Sequence, residues 1–269
     1  MFETNINSFD EPIRTSMANG RNDRHTALLD HLSETGTGSI NELCGRFGVS
    51  EMTIRRDLSE LEREGLLIRT HGGAKLMETA FFEISFAAKT TQFVKEKKRI
   101  AECAAAMVRD GERIIIDSGT TTGHFARCLK ERRITVVTNA LNVATDLIDC
   151  RQIDLHFCGG SLRRGPVAAV GQVAAKFFES FRCDRLFLGV EGIDEAGTMT
   201  VPDIEEAQVK QSMMRSAREV VVLADHSKLG RNSLGVLDML SSVTALITGE
   251  EADPSILSNL RQHTNVIVV

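Results

Sequence analysis

The segment Ile114 to Asp117 runs directly into Ser118, Gly119, Thr120, Thr121, Thr122 and Gly123. Small and hydroxyl-bearing residues where a strand turns into a helix let backbone N–H groups converge on an anion, and the helix N-terminus adds a favourable field. Such a turn suits a phosphate. The same residues are also what an ordinary strand-to-helix turn needs, so both readings stand at this point. Other apolar runs end in the same way: Asn139 follows VVT, Gly159 and Gly160 follow HFC, and Asp225, Ser227 and Lys228 follow VVLA. In open α/β sheets the carboxyl ends of the strands collect on one edge, where ligands bind, so these groups are expected to line one pocket.

A second set of residues has the chemistry of base reading. Ile54, Leu58 and Leu61 lie at i, i+4 and i+7 and predict a helix from Glu51 to Glu64, with Ser50 able to cap it. The side opposite the apolar stripe then carries Met52, Arg56, Ser59 and Arg63, with Thr53 and Arg55 on its flanks. Arg55 or Arg56 suits a bidentate contact to guanine, and Ser50 and Thr53 suit phosphate. The alternative is a solvated face whose arginines pair with Glu51, Asp57 and Glu60. Between Arg21 and Lys75, eight basic residues stand against nine acidic ones, so any DNA-binding charge must be sorted by face.

The elements that must position these groups can be read along the chain. Residues 1–20 are polar and aperiodic and are expected to be a disordered leader, with Met17 an alternative start. Ala27, Leu28 and Leu32 predict a first helix, broken by Gly36, Thr37 and Gly38. Ser39 and Glu42 form a capping box for a short second helix carrying Ile40, Leu43 and Phe47. After the Gly48-Val49 turn comes the basic helix, ended by Gly65. Leu66 to Thr70, a His71-Gly72-Gly73 turn and Ala74 to Met77 then read as a hairpin. Three helices and a hairpin outline a winged helix-turn-helix, placed at 21–77.

Residues 78–95 are expected to be a linker. A charged helical connector over Lys95 to Val108 then leads into apolar runs at 113–117, 134–138, 155–158, 185–190, 220–224, 243–247 and 266–269. Continuous apolar runs alternating with helices predict parallel strands buried on both faces, hence an α/β domain at 96–269.

Composition narrows the classes. At 269 residues two domains are the natural expectation. No stretch approaches a membrane span, and the N-terminus has no export signal, so the protein is expected in the cytoplasm. The net charge of −5 gives no global attraction to nucleic acid or anionic lipid. Cys44, Cys103, Cys128, Cys150, Cys158 and Cys183 have no CxxC spacing and are read as reduced, mostly buried thiols, with no metal and no cofactor implied.

The run SINELCGRFGVSEMTIRRDLSELEREGLLIRTHGGAKL closely resembles the N-terminal helix-turn-helix of the DeoR family of bacterial transcription regulators, whose signature couples VSxxTIRRDLxxLExxG to a wing ending in RxHGGA. EKKRIAECAA, DSGTTT, VVTNALNVA, CGGSLRR, VGQVAAKFF, FLGVEGID, EEAQVKQSMM and LADHSKLG follow in the order of that family's effector-sensing domain, so the resemblance spans about residues 20–269. It implies a Rossmann-like C-terminal domain similar to the ribose-5-phosphate isomerase and CoA transferase folds, in a repressor of a sugar catabolic operon; a homo-oligomer is expected because one winged helix covers little DNA, and no enzymatic turnover is expected, since likeness of fold does not imply it. The partners it implies are double-stranded operator DNA and a phosphorylated sugar or related metabolite, with no membrane. By carry-over, Ser50, Met52, Thr53, Arg55, Arg56, Arg69 and His71 face DNA. Asp117, Ser118, Gly119, Thr120 and Thr121 form the phosphate loop, Asn139, Gly159 and Gly160 line the pocket, and Glu205, Lys210, Asp225 and Lys228 face the sugar. Leu229 stands where phenylalanine is common, a mild departure. The competing reading is a sugar-phosphate isomerase with an appended DNA-binding module, since Asp117, Glu205, Asp225, Lys210 and Lys228 nominally supply a base and a cation.

Overall fold

The computed structural model describes residues 24–25, 27–29, 31–32, 35–63, 65–77, 89–163 and 167–269. The leader expected at 1–20 and most of the linker expected at 78–95 lie outside the described residues. The chain divides into a unit ending at Ala87 and a unit beginning at Ala88.

In the first unit, β1 (Thr37–Ser39) leads into α1 (Ile40–Phe47), followed by α2 (Glu51–Arg63), β2 (Leu67–Thr70) and β3 (Gly73–Leu76). The capping box forms as the sequence predicts: Ser39 Oγ accepts from Glu42 N, and Glu42 reaches back to Ser39 N. Gly48 closes α1 at φ 64°, a left-handed conformation that glycine adopts without a Cβ penalty. Ile54, Leu58 and Leu61 pack against Leu28, Leu32, Leu43 and Leu67 in one core. The Gly36-Thr37-Gly38 stretch, expected only to break a helix, supplies a third strand. β1 pairs antiparallel with β3, which pairs with β2, giving the order β1-β3-β2. Gly73 makes this possible, because a Cβ there would lie 2.0 Å from the Gly38 carbonyl oxygen.

The second unit begins with α3 (Val94–Ala106), β4 (Arg113–Ile116), α4 (Thr120–Cys128), β5 (Thr135–Thr138), α5 (Leu141–Leu147) and β6 (Asp154–Phe157). β7 (Ser161–Arg163), β8 (Ala168–Val170), α6 (Gly171–Glu179), β9 (Cys183–Gly189), β10 (Gly192–Ile193) and β11 (Thr198–Val201) follow. The chain ends with α7 (Ile204–Ser216), β12 (Ala217–Leu223), β13 (Gly235–Met239), β14 (Ala245–Thr248), α8 (Pro254–Leu260) and β15 (Asn265–Val268). The seven runs expected as strands form one seven-stranded sheet, ordered β15-β14-β12-β9-β4-β5-β6, with every pairing parallel. Apolar side chains cover both faces: Ile115, Leu186, Leu188 and Val222 join one core, and Ile114, Ile116, Phe187 and Val221 the other. The chain runs outward from β4 through β5 to β6, then returns to β9 on the other side of β4. The order therefore reverses between β4 and β9, and the crevice outside the carboxyl ends of those strands is where such sheets bind ligands.

The charged connector forms α3, and Glu96 and Lys97 in its first turn are buried. One expectation needs correction. The cysteines are all free, but only Cys158 and Cys183 are buried, and Cys128 is exposed. Burial pushes the Cys158 thiol up to about 12 and the Cys183 thiol up to about 11, which keeps both protonated and unreactive at neutral pH.

Candidate functional site

β4 delivers Asp117 to the point of reversal, fully buried, beside the end of β9. Gly189 N donates to Asp117 Oδ2 at 2.9 Å, and Lys210 from α7 contacts the same carboxylate oxygen. The Lys210 ammonium also donates to Gly189 O at 2.9 Å and lies 3.3 Å from Glu206 Oε1, while Arg163 of β7 meets Glu206 from the other side. Arg163, Glu206, Lys210 and Asp117 thus form one row of alternating charge. Burial works against the Lys210 ammonium, but Asp117 and Glu206 outweigh it and hold its pKa above the ordinary lysine value.

The structure puts Glu206, not Glu205, beside Lys210. Glu206 stands four residues before Lys210 and shares its helix face, whereas Glu205, five residues before, is exposed. Glu206 also has its backbone N–H capped by the Asp203 carboxylate at 2.8 Å.

Ser118, Gly119, Thr120 and Thr121 form the turn into α4, as expected. Gly119 adopts φ 155°, and no side chain caps the helix, so its first N–H groups face the crevice uncapped. Ser118 and Thr121 are buried and Thr120 half-buried. Asn139 is also buried, and its amide donates to Ala169 O at 3.1 Å, tying β5 to β8. The Asp117 Oδ1, Thr122 Oγ1, Asn139 Oδ1 and Asn142 Oδ1 atoms are buried without a hydrogen-bond partner. Unpaired buried polar atoms are expensive, and of these four Asp117 and Asn139 stand just after β4 and β5 while Thr122 and Asn142 lie in the first turns of the helices that follow. Gly159 and Gly160 are exposed. Gly160, at φ 150°, is needed for packing, since a Cβ there would lie 2.8 Å from Val170 O.

Asp225 and Lys228 lie at the end of β12. Asp225 accepts from Ser227 N at 3.2 Å and from Ser227 Oγ at 2.5 Å, and stands 3.7 Å from Lys97 Nζ. Lys228 Nζ donates to Glu191 Oε1 at 3.2 Å, and Lys89 Nζ contacts Glu191 Oε2 at 2.7 Å. Glu96 accepts from His226 N at 2.7 Å and pairs with His226 Nδ1 at 2.8 Å. Lys89, Glu96, Lys97, Arg163, Glu191 and Glu206 were not among the site residues expected from the sequence. A signal existed for Lys97, which precedes Ile100 and Ala101 by three and four residues and so falls on their buried face.

In the first unit, α2 presents Met52, 81% exposed, with Arg55 and Arg56 beside it. Arg55 Nε donates to Glu51 Oε1 at 2.8 Å and Arg56 Nε to Glu60 Oε1 at 3.3 Å. Exposed i,i+4 pairs of this kind contribute only about 0.3–0.5 kcal/mol, so either guanidinium can leave its carboxylate for a base or phosphate. Ser50 Oγ accepts from Thr53 N at 3.3 Å and contacts Thr53 Oγ1 at 2.9 Å, so both residues serve the helix start. Arg69 of β2 donates to Ser59 Oγ at 2.9 Å, which sets the wing arginine against α2, and His71 is exposed at the hairpin turn. Asp57 departs from the solvated-partner reading: it is buried and holds Arg24 through two hydrogen bonds, 2.6 and 3.0 Å, with His25 Nε2 at 3.2 Å. Burial raises the Asp57 carboxyl, but the hydrogen bonds from Arg24 and His25 outweigh it and leave the pKa lowered.

Among the described residues no helix is long and apolar enough to cross a membrane. Residues 24–80 match the DeoR-like helix-turn-helix domain and residues 92–250 the DeoR C-terminal sensor domain. The chain is 34% identical over 241 residues to the glycerol-3-phosphate regulon repressor of Escherichia coli (strain K12), covering 89% of this chain and 95% of that one. It is 35% identical over 227 residues to the HTH-type transcriptional repressor GlcR of Bacillus subtilis (strain 168), covering 84% and 87%. Ribose 5-phosphate isomerase A of Methanocaldococcus jannaschii aligns over 49% of this chain and 53% of its own, with 21% identity and a TM-score of 0.36, too low to carry an argument. Both halves of the chain and nearly the full length of its relatives agree, and the protein belongs to the DeoR family of transcription regulators.

Proposed function

We propose that this regulator is a repressor whose α2 and wing read operator DNA and whose C-terminal unit senses a phosphorylated sugar or related metabolite in the crevice between β4 and β9. The observation that carries the sensing half is the set of buried, unpartnered acceptors beside an uncapped helix start, at the reversal of strand order. The name of the glycerol-3-phosphate relative supports a phosphorylated ligand. Ser118 to Thr121 hold the phosphate, Asp117 and Asn139 accept from hydroxyls, and Lys210, Asp225 and Lys228 complete the polar wall. The protein acts in the cytoplasm as a homo-oligomer, because a single winged helix covers little DNA and paired half-sites multiply affinity. A panel of sugar phosphates tests the sensing half: a ligand that binds only the folded state raises the melting temperature by mass action. If no member of the panel does so, this assignment fails.

The isomerase alternative requires turnover. Exchange of the sugar's α-proton with solvent at an enzymatic rate would establish it and displace the repressor reading.

Two substitutions separate the functions. Arg56→Ala removes a 71% exposed side chain on the face opposite Ile54, Leu58 and Leu61, so the fold stays intact. A lost bidentate base contact weakens operator binding by about 1–3 kcal/mol. Unchanged affinity at the same salt concentration would remove Arg56 from the interface. Thr120→Glu places a carboxylate at the first residue of α4, where the ligand phosphate is expected. Operator binding should then persist while the ligand's effect on it, typically about 5- to 150-fold, disappears. An undiminished effect of the stabilising sugar phosphate in this variant would place the sensing site elsewhere.

A further inference from the structure

Residues 89–93 open the described part of the sensor unit and contact Glu191 and His226, which follow β9 and β12. The buried Lys97 ammonium donates to Lys89 O at 2.6 Å and to Gln92 O at 2.8 Å. Lys89 Nζ reaches Glu191, and the Phe93 ring packs edge-on against His226 with centroids 4.6 Å apart and lies under the Lys97 ammonium at 6.0 Å. Phe93 holds φ 53° and is the only non-glycine residue with positive φ among those described. A phenylalanine in the left-handed region persists only when its surroundings enforce it, so the segment is held down by side-chain contacts rather than by its own backbone preference.

We propose that residues 89–93 are a strap that a phosphate anion displaces, by taking over the Lys97 donors now held by the Lys89 and Gln92 carbonyls. This rests on the phosphate-sensing reading above. The physical argument is competition for one buried cation. With the strap lifted, Lys97 keeps Asp225 at 3.7 Å but loses two hydrogen bonds in a buried setting, which is unfavourable unless an anion replaces them. An anion at Lys97 and the closed strap are therefore alternatives. Three ammonium groups, Lys89, Lys97 and Lys228, are grouped here with Asp225, Glu191 and the Glu96-His226 pair. Burial lowers the pKa of both Lys89 and Lys97, and Lys228 adds to the lowering in each case, so added negative charge relieves both. Lys89 can follow the anion away from Glu191, carrying with it the start of the unit. Because the chain reaches the DNA-reading unit through the residues just before this strap, its release is a direct way for ligand occupancy to reach that unit.

The test uses the full chain, which contains no tryptophan or tyrosine. Phe93→Trp then gives a single fluorophore on the strap. Titration with inorganic phosphate, at ionic strength held constant with chloride, should shift its emission to longer wavelength and increase quenching by acrylamide. Both changes should saturate together with the rise in melting temperature. Hydrogen exchange on the unsubstituted chain provides a second readout, with peptides spanning residues 89–97 exchanging faster in phosphate. A rise in melting temperature with unchanged emission and exchange overturns the strap and leaves phosphate sensing standing. Slower exchange of residues 89–97 in phosphate overturns it too, because the anion would then be clamping the segment. If phosphate alters neither melting temperature nor exchange, anion binding fails and the strap with it.

Discussion

Lys210→Met is expected to destabilise the sensor unit by about 3–5 kcal/mol, the cost of removing one partner from a buried ion pair. The lysine side chain is 2% exposed and that of Asp117 is 0% exposed, so water cannot replace the lost ammonium. Asp117 would keep Gly189 N at 2.9 Å on one oxygen and nothing on the other, while Glu206 would still have Arg163. The destabilisation should be partly relieved by adding Asp117→Asn, which removes the stranded charge and retains an acceptor for Gly189 N. A pH series gives an independent check. Burial already holds the Asp117 carboxyl above the ordinary carboxylate range in the parent, and without the Lys210 ammonium to oppose it the folded-state pKa rises further above the unfolded value. The folded variant then binds the extra proton, so its deficit shrinks as pH falls and grows as pH rises through that folded pKa. Far-ultraviolet circular dichroism during denaturation measures all three proteins, since the chain lacks tryptophan and tyrosine. A loss below about 1 kcal/mol, the range of exposed pairs, would mean that the row of charges is not the buried network described.

Gly73→Ala is expected to disrupt the winged unit and with it operator binding. A methyl group at this position would lie 2.0 Å from Gly38 O and 2.9 Å from Ser39 Cα, both backbone atoms that cannot rotate away. Overpacking costs about 1–3 kcal/mol where side chains can yield, and here β1 must leave β3 instead. Ser39 pairs with Gly73 across that ladder and also caps α1, so the damage reaches the first helix of the motif. Gly72→Ala is the control, because a Cβ there meets nothing within 4 Å. The two variants are compared by thermal melting of the N-terminal unit and by operator titration. Equal melting and equal affinity for both would show that β1 does not approach β3 so closely.

Local features of the fold were legible in the sequence. The Ser39-Glu42 capping box, the left-handed Gly48 and the Ile54-Leu58-Leu61 face each depend on residues a few positions apart, and each forms as read. The seven parallel strands were legible for a related reason, since a strand buried on both faces must be apolar throughout, and such runs are visible without knowing their neighbours. The strands missed were the short ones, β1, β7, β8, β10, β11 and β13, most of them of two to four residues. These exist because a partner strand satisfies their backbone, and nothing within such short segments specifies that partner.

The site divides along the same line. Residue type and position after an apolar run were enough to bring Asp117, the Ser118 to Thr121 turn, Asn139, Asp225 and Lys228 to one edge of the sheet, because parallel strands all end there. What the sequence could not decide is which charges are buried and with whom. Asp57 is separated from Arg24 by 33 residues, Lys210 from Asp117 by 93 and Glu96 from His226 by 130, so each looks like a surface charge in its local window. Glu206, not Glu205, joins the row because the helix pitch and the docking of α7 together select the residue facing Lys210. Sequence by itself determined the family, the two kinds of unit and the edge where chemistry collects. Tertiary structure alone decided the ion pairs, the unpartnered acceptors and the hold of residues 89–93 on Lys97, because the energy of a buried charge depends on partners that only folding brings within hydrogen-bond distance.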